Sequence, residues 1–414
     1  MFCVTRELTR MAAEDVRSAR IQLMHFLEPQ DHLGMALIHV LGPVKAYEIV
    51  AGRAPSSAEL DVVREERPEL SERMDEESLQ KTLYRWRQRQ PLRSPLSMER
   101  TLSDRGSWLA VPEDEDWPEA LAHIGERAPI GLWGRGDRAG LSTPVDTQLA
   151  VVGCRDSTNY GHEVTGHLVS AVAAEGYGVL SGAAFGIDAV AHRTALATGT
   201  GAPSTIAFLA CGIDRTYPRA HEALLRDIER SGLILTELNP GSSPMRHRFL
   251  QRNRLIAALS AVTLVVEARL RSGALNTARH ALEMGRTVGV VPGPVFSAQS
   301  AGCHRLVSEA PVELVTSSDD LLNLLPRGEH RGKGSRHTTK APPRDNVETE
   351  LALTQMQVLV REALPARHPV PPERLCSSAG LPIRDVLATL AQLEQRDLAE
   401  CRDGLWKMSR GGRA

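Results

Sequence analysis

The sequence predicts an α/β fold: a doubly wound, Rossmann-like parallel sheet with an N-terminal helical domain and a C-terminal winged-helix domain. Six short apolar runs occur in the middle of the chain, with stretches of helical spacing between them. Consecutive runs are 25 to 30 residues apart, which matches the length of a βαβ unit. Continuous apolar strands are typical of a parallel sheet covered on both faces. The runs are marked by Val152, Leu180, Phe208, Leu235, Val265 and Val290.

The length and charge of the chain indicate a globular protein with several domains. Its 414 residues exceed a typical domain of about 100–200 residues. The formal net charge is only -2, so binding to a polyanion needs a local cationic patch. No apolar run approaches the roughly 20 residues of a membrane span, and the first residues carry charges of both signs. We therefore expect a cytoplasmic protein with no membrane partner.

We predict four segments from the apolar and charge patterns. Residues 1–90 carry apolar residues at helical spacing and form a helical domain. Residues 91–326 contain a short entry segment and then the six strands. Residues 327–350 are basic and poor in large apolar residues, so we expect a flexible linker whose positive charge assists binding to a polyanion. Residues 351–410 form the last domain.

The last segment has the pattern of a winged-helix domain. Three short helical stretches precede two strand-like runs, which flank Asp403-Gly404, a strong hairpin signal. A third helix that reads DNA is normally basic. Here the basic and acidic residues balance, so contact with a protein or a regulatory role is as well supported as contact with DNA. These charged residues are Arg384, Asp385, Glu394 and Arg396.

A candidate anion site follows the first predicted strand. Gly153 allows a phosphate to approach the backbone, Arg155 offers a forked donor, and Ser157 offers a hydroxyl. A helix begins just after them, and its N-terminal N–H groups favour anions. The spacing is not that of the G-x-G-x-x-G fingerprint, which argues against a dinucleotide-binding enzyme.

The second strand ends in a loop of small residues that includes Gly182 and Gly186. Asp188 and His192 follow at i,i+4 on one helix face. Two interpretations of this pair are open, an acid and base pair or hydrogen bonds that fix the loop, and we favour the second.

The main cationic patch begins after the fourth strand. Between Leu238 and Leu282 there are seven arginines and one carboxylate, Glu267, which gives a local net charge of +6. Arginine binds phosphate whatever the base, and Phe249 offers a face for stacking, so the patch predicts nucleic-acid binding without sequence preference. The densest part of the patch contains Arg246, Arg248, Arg252, Asn253 and Arg254.

A second candidate anion site follows the fifth strand, where Ser272 and Gly273 open a helix. No Walker loop, nucleophile elbow, H-E-x-x-H motif or clustered set of metal ligands occurs in the sequence. The six cysteines are scattered, so we expect reduced thiols. We therefore predict a binding protein without catalytic residues, metal or cofactor.

Seven motifs resemble, in order and spacing, the DprA/Smf family of bacterial DNA-processing proteins, over about residues 110 to 310. These motifs are VVGCRDSTNYG, SGAAFGIDAVAH, CGIDRTYPRAH, FLQRNRLIAALS, VVEARLRSGALNTA, GRTVGVVPGPV and SAGCHRL. The resemblance implies a Rossmann-like core that dimerises, binds and protects single-stranded DNA, and loads the RecA recombinase during natural transformation. It also implies that the DNA pocket contains Arg155, Arg252, Asn253 and Arg254 and is shaped by Gly153, Ser157, Gly182, Gly186, Ser272 and Gly273.

Two further hypotheses stay open at this stage. Nucleotide-binding proteins with a similar fold hydrolyse nucleoside monophosphates, and Asp188, His192 and Glu237 are candidate acid or base groups for such a reaction. The winged-helix domain also permits a transcriptional regulator, which a sequence-specific footprint would reveal.

Overall fold

A computed structural model describes most of the chain. The described residues are 2–89, 94–201 and 203–326, followed by 357, 360–361, 363–365, 369–379, 382–394, 396, 398–402 and 404–409. The predicted linker, residues 327–350, lies outside them. The chain divides into two compact units, Met1–Arg331 and Gly332–Ala414.

The first unit is built on a single sheet. Its strands are β1 (Ser107–Ala110), β2 (Leu132–Gly136), β3 (Gln148–Val152), β4 (Gly178–Ser181), β5 (Thr205–Phe208), β6 (Leu233–Thr236), β7 (Val262–Val265), β8 (Thr287–Val290) and β9 (Glu313–Leu314). Their order across the sheet is β1-β2-β6-β5-β4-β3-β7-β8-β9. Neighbours from β6 to β9 pair in parallel, whereas β1 and β2 add an antiparallel edge. The six predicted strands, β3 to β8, are confirmed.

Thirteen α-helices of this unit are described. They are α1 (Phe2–Phe26), α2 (His32–Leu41), α3 (Pro43–Ala51), α4 (Ser57–Glu66), α5 (Glu76–Arg87), α6 (Pro95–Ser103), α7 (Asn159–Ala174), α8 (Ile187–Thr198), α9 (Glu222–Ser231), α10 (Arg246–Ala258), α11 (Gly273–Glu283), α12 (Ala301–Glu309) and α13 (Ser318–Leu324). None of the described helices is long and apolar enough to span a bilayer.

Helices cover both faces of the sheet, as the doubly wound fold requires. Ala150 packs with α10 and α11, whereas its neighbour Leu149 packs with α7 on the opposite face. Every residue of β3 is buried, because successive side chains of a strand point to opposite faces and both faces are covered. This explains why the strand is apolar throughout rather than at alternate positions.

The N-terminal helices share a hydrophobic core with the sheet. Leu37 of α2 and Trp86 of α5 are buried in the same cluster as Trp133 of β2 and Ile234 of β6. Residues 1–90, predicted as a helical domain, therefore belong to the same compact unit as the sheet.

The second unit contains helices α14 (Pro372–Ala379) and α15 (Ile383–Glu394) and strands β10 (Ala399–Arg402) and β11 (Leu405–Met408). The two strands pair in antiparallel fashion, which confirms the predicted hairpin. Val386, Leu390 and Leu393 of α15 are buried in its core. The first predicted helix lies mostly outside the described residues, and the winged-helix assignment stays a prediction.

Candidate functional site

A cavity of about 650 Å³ opens at the carboxyl end of the parallel strands. It lies where β3 and β7 are neighbours, and the helices that follow them, α7 and α11, pack on opposite faces of the sheet. In doubly wound folds such a switch point leaves a crevice that binds ligands. The predicted site residues that line it are Gly153, Arg155, Arg246, Arg252, Asn253, Ser272 and Gly273.

The loop after β3 is held by contacts on both sides. Gly186 has φ +74°, and a Cβ there would lie 2.2 Å from the carbonyl oxygen of Cys154, so the two loops touch only because this residue is glycine. On the other side, the buried carboxylate of Glu267 accepts hydrogen bonds from the backbone N–H of Thr158 (2.9 Å) and from its hydroxyl (2.6 Å). Sequence reasoning missed this role, although Glu267 was visible as the lone acid of the cationic patch.

Arg155 is exposed at the mouth of the cavity. Its guanidinium carbon lies 4.6 Å from the centroid of the Phe249 ring, which is a cation–π contact. The ring of Tyr217 packs against the ring of Phe249, with the two centroids 5.6 Å apart. Ser157 is half-buried, and its hydroxyl is within 2.7 Å of His162 Nε2. A cation and an aromatic face therefore stand together at the entrance.

Arg252 lines the cavity wall but is itself buried. Its guanidinium donates hydrogen bonds to the carbonyl oxygens of Gly182 (2.7 Å) and Phe208. Desolvation lowers its pKa to about 10, so the group stays charged at neutral pH. Asn253 donates to the carbonyl oxygen of Gly273 (3.1 Å) and so joins α10 to α11. These two residues fix the loops that form the cavity.

The structure does not bring Arg248 and Arg254 into the cavity. Arg254 has no exposed side-chain surface and forms a bidentate ion pair with Glu237, with both N–O distances 2.6 Å. Arg248 is 11% exposed and pairs with Glu28 of the N-terminal region at 2.9 Å. We therefore leave both residues out of the binding surface that the sequence predicted.

Two arginines outside the predicted site set complete the lining. Arg269 and Arg271 follow β7, are exposed and line the cavity, and Arg269 forms an ion pair with Asp156 of the loop after β3. Ser272 caps α11 by accepting a hydrogen bond from the N–H of Ala274 at 3.1 Å. The signal for these arginines was present, because both belong to the cationic patch and directly precede the second candidate anion site.

Asp188 and His192 fix the loop after β4. Asp188 accepts a hydrogen bond from the N–H of Gly182 at 3.1 Å. His192 Nε2 accepts from the N–H of Ala183 at 3.3 Å. The hydroxyl of Thr205 donates to a backbone carbonyl, so His192 Nδ1 carries the ring proton and donates to that hydroxyl at 2.7 Å. This geometry agrees with the interpretation that Asp188 and His192 form hydrogen bonds that fix the loop.

Burial keeps His192 neutral. Desolvation, assisted by the charges of Arg252 and His221, lowers its pKa to about 3. Burial raises the pKa of Asp188. Glu237, the third candidate acid or base group, is bound to Arg254. Among the described residues, no group of three or more His, Cys, Asp or Glu side chains is arranged to hold a metal ion.

Comparison with known proteins decides the family. The model of the DNA recombination-mediator protein A family matches residues 108–326, more than half of the chain. The chain belongs to this family, known as DprA/Smf. The resemblance inferred from the seven motifs is thereby confirmed, and with it membership of a family of DNA-processing proteins.

Individual DprA/Smf proteins match most of the chain. The putative DNA processing protein DprA of Mycobacterium tuberculosis is 42% identical over 322 residues, which cover 75% of this chain and 79% of that protein. Protein Smf of Escherichia coli is 33% identical over 287 residues, 69% of this chain and 73% of its own. The X-ray structure of DprA from Streptococcus pneumoniae superimposes with a TM-score of 0.56 at 26% identity, covering 76% of this chain and 99% of that one.

Proposed function

We propose that this DprA/Smf protein binds and protects single-stranded DNA and loads the RecA recombinase onto it during natural transformation or recombination. The observation that carries the proposal is the composition of the cavity at the switch point. Five arginines line it against two aspartates, which makes it a site for a polyanion. These arginines are Arg155, Arg246, Arg252, Arg269 and Arg271.

The arrangement favours a phosphate backbone over a small metabolite. The exposed arginines belong to three separate loops or helix starts, so they contact several phosphates along a chain. The N-terminus of α11, opened by Ser272 and Gly273, adds backbone donors at the same place. Such contacts read no base, and they predict binding without sequence preference.

A single strand fits this cavity better than a duplex. Arg155 and the rings of Phe249 and Tyr217 lie together at the entrance, and aromatic faces bind unpaired bases by stacking. In a duplex the base faces are already stacked on one another and are not available to these rings. The aromatic side chains at the entrance therefore give a physical basis for a preference for single-stranded over double-stranded DNA.

We propose no catalytic role for the chain. The acid and base candidates weighed from the sequence hold structure: Asp188 and His192 bind the loop after β4, and Glu237 binds Arg254. RecA as a partner and a homodimer rest on the family resemblance, and the cytoplasmic location is the expectation drawn from the sequence.

Nuclease protection and RecA nucleation test the proposal directly. The full chain is added to single-stranded DNA coated with single-strand-binding protein, and RecA filament growth is followed by its ATPase activity. We expect shorter nucleation lags and protection of the strand from exonuclease. Unprotected DNA, together with turnover of a nucleoside monophosphate that Asp188→Asn abolishes, would replace the proposal by the hydrolase alternative.

A further inference from the structure

Two aromatic side chains lie exposed beside the cavity, on loops that do not belong to the cationic patch. Phe185 follows β4 and is 47% exposed, and Tyr217 follows β5 and is 39% exposed. Phe, Trp and Tyr together make up only 4% of the chain. These two exposed rings line the same depression, and exposed apolar side chains that lie together mark a binding surface more often than scattered ones.

The surface that holds these rings is continuous with the cavity. Phe185 and Tyr217 line one shallow depression, and that depression shares Arg155, Tyr217 and Phe249 with the arginine-lined cavity. The depression encloses only about 20 Å³. The depression is therefore too small to enclose a ligand, and a planar ligand would lie on the aromatic surface.

The rings are held in place before any ligand arrives. The ring of Phe185 makes an edge contact with His221 at a centroid distance of 4.7 Å. His221 is buried and donates a hydrogen bond from Nδ1 to the carbonyl oxygen of Ala183 at 3.0 Å. The ring of Tyr217 packs against the ring of Phe249, and the guanidinium of Arg155 lies over the Phe249 ring in a cation–π contact. Pre-ordered rings lose little conformational freedom on binding, which favours affinity.

We propose that Phe185 and Tyr217 form a base-stacking surface for nucleobases of the same single strand whose phosphates bind in the cavity. This inference rests on the proposed function. The strands β5, β4, β3 and β7 are consecutive in the sheet. Three spacings of about 4.8 Å separate β5 from β7, roughly 14 Å in all. The bound DNA strand therefore crosses the carboxyl edge of the sheet. Its phosphates lie beside β7 and β3, and its bases lie beside β4 and β5.

The test compares an intact oligo-dT with an oligonucleotide of the same length whose central residues lack bases. Fluorescence anisotropy gives the affinity of the full chain and of Phe185→Ala and Tyr217→Ala for both strands. Base stacking on an aromatic ring contributes roughly 5- to 100-fold in affinity. We expect each variant to lose about that factor on oligo-dT, to keep the wild-type affinity for the abasic strand, and to keep its salt dependence.

Phe296→Ala is the matched control, because Phe296 is fully exposed and lines neither the depression nor the cavity. A second variant, Phe185→Trp, retains an aromatic ring, and its added fluorescence is taken as the difference from the wild type, which already contains five tryptophans. We expect oligo-dT to quench that signal and the abasic strand to leave it unchanged.

Several results would overturn the inference. No loss on oligo-dT would show that the two rings do not contact the bases. Equal losses on both strands, or a changed sedimentation coefficient of the DNA-free variants, would show that the rings support the fold or a second copy of the chain. Failure of the proposed function is a separate result, because the wild-type protein would then bind neither strand.

Discussion

Arg254 and Glu237 form a buried ion pair in which Nη1 donates to Oε1 and Nη2 donates to Oε2, each at 2.6 Å. The pair joins α10 to the segment that follows β6. Arg254 belongs to the cationic patch by sequence, yet its charge is neutralised inside the protein. Its contribution is therefore to the stability of α10 and not to the binding surface.

Removing one partner of this pair should destabilise the protein strongly. Glu237→Gln leaves the Arg254 charge buried without its counter-ion, and breaking a buried pair in this way costs about 3–5 kcal/mol. We expect the free energy of unfolding, measured by urea denaturation, to fall by about that amount. The exposed Arg279→Ala on α11 is the control and should change it by less than about 0.5 kcal/mol. Comparable changes in the free energy of unfolding for the two substitutions would contradict a stabilising role of the buried ion pair.

The stability of the protein should fall with decreasing pH because of His192. Its pKa is lowered to about 3 in the folded protein, whereas the unfolded chain has the ordinary value of about 6.5. Below pH 6.5 the unfolded state therefore binds a proton that the folded state does not, and the stabilising contribution is lost as the pH falls towards 3. The slope of this loss is about 1.4 kcal/mol per pH unit.

His192→Gln isolates this effect, because its side chain does not titrate. We expect the variant to be less stable than the wild type at pH 7, with a difference that narrows at lower pH. Urea denaturation at several pH values measures both curves. Parallel curves would show that His192 is not held neutral by burial, and that other groups cause the pH dependence.

Arg246 and Arg248 provide a comparison within one helix. Arg246 is exposed and lines the cavity, whereas Arg248 is 11% exposed and paired with Glu28. Arg246→Ala should remove one phosphate contact and reduce the slope of log affinity against log salt by about 0.7. Arg248→Ala should leave that slope unchanged and lower the free energy of unfolding by about 1 kcal/mol. The reverse pattern, measured on single-stranded DNA, would contradict the placement of the two side chains.

The sequence predicted the central sheet because its strands are buried on both faces and are apolar at every position, as in β3. It did not predict β1 and β2 as strands. They are short antiparallel edge strands, and β2 contains Gly134 and Gly136. Nor did it predict the two-residue β9, whose residues are exposed and therefore leave no apolar run.

The lining of the candidate site was predicted only in part. Arg246, Phe249 and Asn253 follow the three- and four-residue spacing of one helix face, and all three line the cavity. Charge density alone did not distinguish that face from the positions of Arg248 and Arg254. Arg248 pairs with Glu28, which is distant in the sequence, and Arg254 pairs with Glu237, which follows β6. Only the fold reveals that these two charges are neutralised.

Salt-dependent binding of oligo-dT and of a duplex of the same length tests the central claim most directly. The wild-type chain is compared with Arg155→Ala and Arg271→Ala, and with Arg193→Ala on the exposed surface of α8 as the control. We predict that the single strand binds more tightly, and that each cavity substitution weakens binding and lowers the salt slope by about 0.7. Equal affinity for both polymers, or an equal effect of Arg193→Ala, would contradict the assignment of the cavity to single-stranded DNA.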